Sequence, residues 1–120
     1  MDNIVKGFLT FRIQIKLYHW KTSIYSRHKA SDGFLEAFDS KIDKFIEVMI
    51  GSRDQKPKDN FKMELQTLND KSIVDYIDNF RAWLKEYLPN QLNEKETDLI
   101  NIRDEILSDL NQMIYLFRLK

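Results

Sequence analysis

The sequence predicts an all-α fold, a four-helix bundle built with two short joints and one long crossover. Three observations lead there. Only three glycines and two prolines interrupt 120 residues. Leu, Ile, Lys, Glu and Asp are abundant, a composition that favours helices over strands and turns. Apolar residues recur at spacings of three and four in four separate segments, the signature of helices with one buried face. A hydrophobic content of 42% over this length supports one core and not two, so residues 1–120 read as a single domain.

The first helix is predicted over residues 2–24, with Ile4, Phe8, Phe11, Ile15 and Tyr18 on one face. Val5, Leu9, Ile13 and Trp20 form a second apolar stripe on the same helix, more than one packed face can hide, which points to a partner chain. The second helix, over 31–50, carries Phe34, Leu35, Phe38, Ile42, Phe45, Ile46 and Met49, and Gly51 is its natural stop. Residues 51–71 read as a polar connector containing Pro57, in which Phe61, Leu65 and Leu68 allow a short helix. The third helix starts at Ser72, keeps Ile73, Ile77, Phe80, Leu84 and Leu88 in register, and is closed by Pro89. The fourth is opened by Asn93 with Glu96 three residues on, a variant capping box, and carries Leu99, Ile106, Leu110, Met113 and Phe117.

Short joints force antiparallel neighbours, whereas a long one runs back along the bundle. The expected topology is therefore hairpin, crossover, hairpin. Ferritin-like bundles connect their helices this way, and cytokine bundles also use long crossovers. No internal repeat or low-complexity tract interrupts the pattern.

Charge and composition exclude several functions. Lys+Arg and Asp+Glu both number 19, so no net field holds a polyanion, and Tyr25, Arg27 and Lys29 are too few to make a nucleic-acid patch. The absence of cysteine removes disulfides, thiolate metal sites and a thiol nucleophile. The N-terminal stretch mixes charged and apolar residues and does not read as a signal peptide, and no segment approaches the roughly 18 apolar residues of a membrane span. A soluble, cytoplasmic protein is expected.

The chemistry concentrates around the only two histidines, His19 and His28, which flank the first joint. Given about 100° per residue, His28, Asp32, Asp43 and Glu47 fall within roughly a 100° sector of the second helix if that helix extends back to His28, and Glu36 and Asp39 share it. At about 1.5 Å per residue, however, Asp32 and Asp43 stand roughly 16 Å apart, too far for one ion. A second copy running antiparallel across a two-fold axis would set Asp43 and Glu47 of one chain beside His28 and Asp32 of the other. Imidazole nitrogen with carboxylate oxygen and no sulfur suits Fe(II), and also zinc or manganese.

The run HWKTSIYSRHKASDGFLEAFDSKIDKFIE resembles the ferroxidase segment of the Dps mini-ferritins, members of the ferritin-like superfamily. In that family a His-Trp pair, a second His, an Asp four residues later and an Asp-x-x-x-Glu follow in order; here they fall on His19 with Trp20, His28, Asp32, and Asp43 with Glu47. The resemblance implies a site shared by two chains, with His19, His28 and Asp32 from one and Asp43 and Glu47 from its two-fold mate. It also implies Fe(II) oxidation by peroxide or dioxygen, and a homo-oligomer that is at least a dimer and in the family a dodecameric cage. The segment ETDLINIRDEILSDLNQMIYLFRLK is similar to the family's last helix, and Glu94, Glu96 and Asp98 resemble the acids of its iron-entry pores. Acids in a first turn also complement the helix dipole, the simpler explanation for those three.

The chain departs from the family in its shorter joint between the histidines and in lacking a lysine-rich tail before the first helix, which argues against DNA binding. The expectation is an iron-binding mini-ferritin-like protein that oxidises and sequesters Fe(II). The alternative is a dimeric interaction module of the same fold without ferroxidase activity, in which the acidic stripe is solvated surface.

Overall fold

A computed structural model describes residues 1–58 and 60–120; the residue at 59, within the expected connector, lies outside it. Helix α1 spans Asp2–Lys21, α2 Tyr25–Arg53, α3 Ser72–Ala82, α4 Leu88–Asn90 and α5 Thr97–Phe117, with a π-helical turn Trp83–Tyr87 joining α3 to α4. The last three helical pieces before residue 91 make one continuous rod, so four rods form the bundle. None of the described helices is long and apolar enough to cross a membrane.

The periodic apolar residues become the core as expected. Ile4, Phe8, Phe11, Ile15 and Tyr18 of α1 are buried with Phe34, Phe38, Phe45 and Met49 of α2, Ile73, Ile77 and Leu84 of the third rod, and Leu99, Ile106 and Leu110 of α5, all in one cluster. Phe11 stacks on Phe80 with ring centroids 3.7 Å apart, and Phe8 meets Phe45 edge-on at 5.1 Å. Burying an aromatic side chain of this size stabilises the fold by about 2–3 kcal/mol.

Side-chain pairs give the direction of each rod. Phe8 faces Phe45 while His19 faces His28, so α1 and α2 are antiparallel. Asn3 reaches Tyr87 while Phe11 stacks on Tyr76, so α1 also opposes the third rod. Arg53 binds Glu96 at one end of α5 and Arg27 lies over Phe117 at the other, which sets α2 against α5. The order is up, down, down, up, and the connector after α2 must travel the length of the bundle.

That connector lies along α1. Lys58 approaches Asp2, Gln66 pairs with Gln14, and Asp70 accepts hydrogen bonds from Tyr18 at 2.7 Å and Thr22 at 2.6 Å. The short helix allowed through Phe61, Leu65 and Leu68 does not form; Leu68 is buried but Leu65 is 49% exposed. The buried Gln14 amide donates to the Gln66 carbonyl at 3.0 Å and accepts from its N–H at 2.5 Å, claiming the main-chain groups a helix would have used internally.

Helix ends differ from expectation for local reasons. α1 stops at Lys21, short of 24, because Thr22 turns extended with ψ 140°. α2 begins at Tyr25, before the expected 31, and runs through Gly51 to a left-handed Asp54, φ 51°. Arg53 is held by both carboxylate oxygens of Glu96, so tertiary contact carries the helix past a glycine that costs only about 1 kcal/mol. Pro89 lies inside α4 and does not close the third helix; the π turn before it widens the ring that a proline would otherwise crowd. α5 starts at Thr97 with Glu96 as its cap residue, so Asn93 does not open the helix; Glu96 instead accepts from the Asn93 N–H at 3.0 Å across the turn that precedes it. On the second stripe of α1, Val5 is buried, Leu9 and Ile13 are half-buried, and only Trp20 is well exposed, beneath the Lys16 ammonium at 5.3 Å.

Candidate metal centre

Thr22, Ser23 and Ile24 separate α1 from α2, and this short joint folds the last turn of α1 onto the first turn of α2. His19 and His28 consequently stack, with centroids 4.0 Å apart and planes 14° from parallel. Because α2 begins at Tyr25, His28 is helical and Asp32 stands one turn beyond it on the same side.

Each imidazole is held through Nδ1. His28 Nδ1 lies 2.9 Å from the main-chain oxygen of His19. His19 Nδ1 lies 2.9 Å from Ser31 Oγ, and the Ser31 hydroxyl donates to the His28 carbonyl at 3.1 Å. Neither Nε2 has a hydrogen-bond partner among the described residues; His19 Nε2 looks toward Asp32 Oδ1 at 4.0 Å. His19 is buried, whereas the Asp32 side chain is 64% exposed and free to rotate.

Asp43 and Glu47 lie further along α2. Both are exposed and stand on the wall of a groove floored by Val5, Leu9, Ile42 and Ile46. Asp43 is about 16 Å from Asp32 by helical rise. Among the described residues no group of three or more His, Asp or Glu side chains converges closely enough to hold a metal ion within one chain. The structure thus gathers His19, His28 and Asp32 at one end of α2 and leaves Asp43 and Glu47 apart from them.

Between the two groups stands a residue that the sequence did not single out. Arg12 on α1 grips the Asp39 carboxylate through Nε and, at 3.2 Å, Nη2. The hydrogen bonds that Arg12 donates to Asp39, helped by the charges of Asp39 and Asp43, raise the Arg12 pKa above its already high ordinary value. Asp39 is thereby neutralised within the acidic stripe, and Glu36 remains exposed. Ser31 is the other omission; a serine in a polar stretch carries no periodic or motif signal.

The three acids around the start of α5, Glu94, Glu96 and Asp98, do not act alike. Glu96 is buried and accepts from Arg53 at 2.7 and 2.9 Å; those hydrogen bonds, with one from the Asn93 N–H, hold its carboxyl below the ordinary glutamate range against the opposing effect of burial. Glu94 and Asp98 are exposed, and Asp98 accepts from the Leu99 N–H at 3.0 Å.

A family model described as "Family of unknown function (DUF5856)" matches residues 19–117, a span that contains all five candidate ligands. No curated protein and no solved structure matches the chain.

Proposed function

The chain belongs to the DUF5856 family, and from the site this member carries we propose an iron-binding, mini-ferritin-like protein that takes Fe(II) as substrate at sites shared between two-fold-related copies. The single observation that carries the reading is the pair of stacked imidazoles, both tethered through Nδ1, with the Nε2 of His19 4.0 Å from Asp32 Oδ1. Metal-binding histidines characteristically spend the second ring nitrogen on a carbonyl or hydroxyl partner in this way.

Two further features support it. The up, down, down, up order with one long crossover is the connection scheme of ferritin-like bundles. The exposed Asp43 and Glu47 on an apolar groove supply what the histidine end lacks, if a second α2 packs antiparallel with the axis near the middle of the helix. Imidazole and carboxylate donors without sulfur bind Fe(II), and zinc or manganese would compete for the same donors.

In this reading His19, His28 and Asp32 of one copy, with Asp43 and Glu47 of the other, bind Fe(II) and hold it during oxidation. Two Fe(II) each give one electron to one hydrogen peroxide, which takes up two protons and leaves two waters. The protein's part is to orient the donors, with each imidazole held through its Nδ1. Ferric product is then sequestered, in a cage if the dimers assemble further.

The alternative, a dimeric interaction module, shares the groove and diverges at the carboxylates. Fe(II) oxidation by peroxide, followed as ferric absorbance, separates them. Faster, saturable oxidation than a protein-free blank, lost in a folded Asp43→Ala/Glu47→Ala variant, is expected; identical traces would leave only the module.

A further inference from the structure

We infer that Ser31 is a positioning residue whose hydroxyl sets the tautomer of His19 and thereby presents the Nε2 lone pair of that ring to a metal ion. The inference deepens the iron reading and rests on it for the ligand, whereas the placement of the protons rests on hydrogen-bond geometry alone.

A main-chain carbonyl can only accept, so the Ser31 hydroxyl, 3.1 Å from the His28 oxygen, donates its one proton there. Ser31 Oγ then meets His19 Nδ1 at 2.9 Å as an acceptor, and Nδ1 must carry hydrogen. A neutral imidazole protonated at Nδ1 keeps its lone pair on Nε2. The same reasoning applies to His28, whose Nδ1 faces the His19 carbonyl at 2.9 Å.

The result is a closed loop. The His19 carbonyl holds the His28 ring, the His28 carbonyl holds Ser31, and Ser31 holds the His19 ring. Each histidine is oriented through the main chain of the other, so neither ring turns without breaking a bond made by its neighbour. Ser31 is 0% exposed and His19 6%, which denies water the place of the hydroxyl. A mid-helix serine is otherwise neutral to unfavourable, and alanine would suit the helix better. The hydroxyl's use is the bond to His19.

Nitrogen-15 NMR of the imidazoles in metal-free protein, with both rings neutral, tests the inference, paired with Co(II) titration. In the wild type both histidines should carry hydrogen on Nδ1. In Ser31→Ala, His19 should lose its exclusive Nδ1–H form while His28 keeps it, because the carbonyl holding His28 is untouched. Ser31→Thr, which retains a hydroxyl, should restore the wild-type pattern. Co(II) affinity should fall about 10–100-fold in Ser31→Ala, the usual loss for an outer partner of a ligating histidine. A wild-type His19 protonated at Nε2, or an unchanged His19 tautomer in Ser31→Ala, would overturn the inference. The expected tautomers without Co(II) binding in either protein would uphold the role of Ser31 in fixing the ring and contradict the iron reading instead.

Discussion

Arg12 of α1 clamps Asp39 of α2 through two hydrogen bonds, and Asp39 stands on α2 between the histidine end and the Asp43/Glu47 end. In an antiparallel pairing of two α2 helices, the axis would pass close to this pair. Without Arg12, two Asp39 carboxylates would face each other there. Arg12→Gln is therefore expected to weaken self-association about tenfold or more, because an unpaired charge is left in an interface. Both side chains are about two-fifths exposed in one chain, at 41% and 43%, so the stability of the chain itself should change by less than about 1 kcal/mol. Sedimentation equilibrium and urea unfolding of the same variant read the two effects separately.

A site whose ligands are split between two chains, as proposed, would link metal binding to assembly. Anything that binds the dimer and not the monomer shifts the equilibrium by mass action. Zn(II), used as a redox-silent probe, should move the solution mass toward the dimer or beyond. Asp43→Ala/Glu47→Ala should abolish the shift. Zn(II) affinity that is independent of protein concentration would contradict the link.

The Arg53–Glu96 pair predicts a pH dependence of stability. The Glu96 carboxyl is held below its ordinary range in the folded chain, chiefly by the Arg53 hydrogen bonds. Its contribution is therefore full above the ordinary glutamate pKa and is lost as pH falls through the lower folded value. Asp70, lowered by hydrogen bonds from Thr22 and Tyr18, acts in the same direction. Urea midpoints should fall on acidification from pH 7 to 3, and Glu96→Gln should show a lower midpoint at pH 7 and a smaller fall.

Gly7 is the one glycine at which a close approach demands its size. A Cβ there would lie 2.4 Å from Trp83 Cζ2. The indole is confined by near-parallel stacking on Phe80 and Tyr87 and cannot simply swing away. Gly7→Ala should destabilise the bundle by about 1–3 kcal/mol, measured by urea unfolding, with metal binding unchanged in the folded variant.

The four rods were legible because their apolar residues repeat with helical period, and burial against three neighbours enforces that pattern. The start of α2 was not legible. Tyr25 to Ala30 carries no apolar stripe, and its helix is secured from elsewhere, by Arg27 over Phe117 and donating to the Asp70 carbonyl at 2.6 Å. The extended crossover was hidden for a similar reason, since Gln14 binds Gln66 across a sequence distance that no local pattern reports. His19 and His28 were legible as neighbours of one short joint, and their rings do stack across it. Arg12 and Ser31 escaped notice because each acts through a partner on another helix or another turn.

The most direct test of a shared iron site is complementation between two dead halves. One variant, His19→Ala/His28→Ala, keeps only the carboxylate half; the other, Asp43→Ala/Glu47→Ala, keeps only the histidine half. Each alone should fail to accelerate peroxide oxidation of Fe(II). Mixed in equal amounts under conditions that exchange subunits, mixed dimers carry one intact site and one doubly lesioned site. Activity should then return to about a quarter of the wild-type level per chain, as random two-fold pairing dictates. A mixture as inactive as its components, with subunit exchange demonstrated by mass, would contradict a site built from two chains.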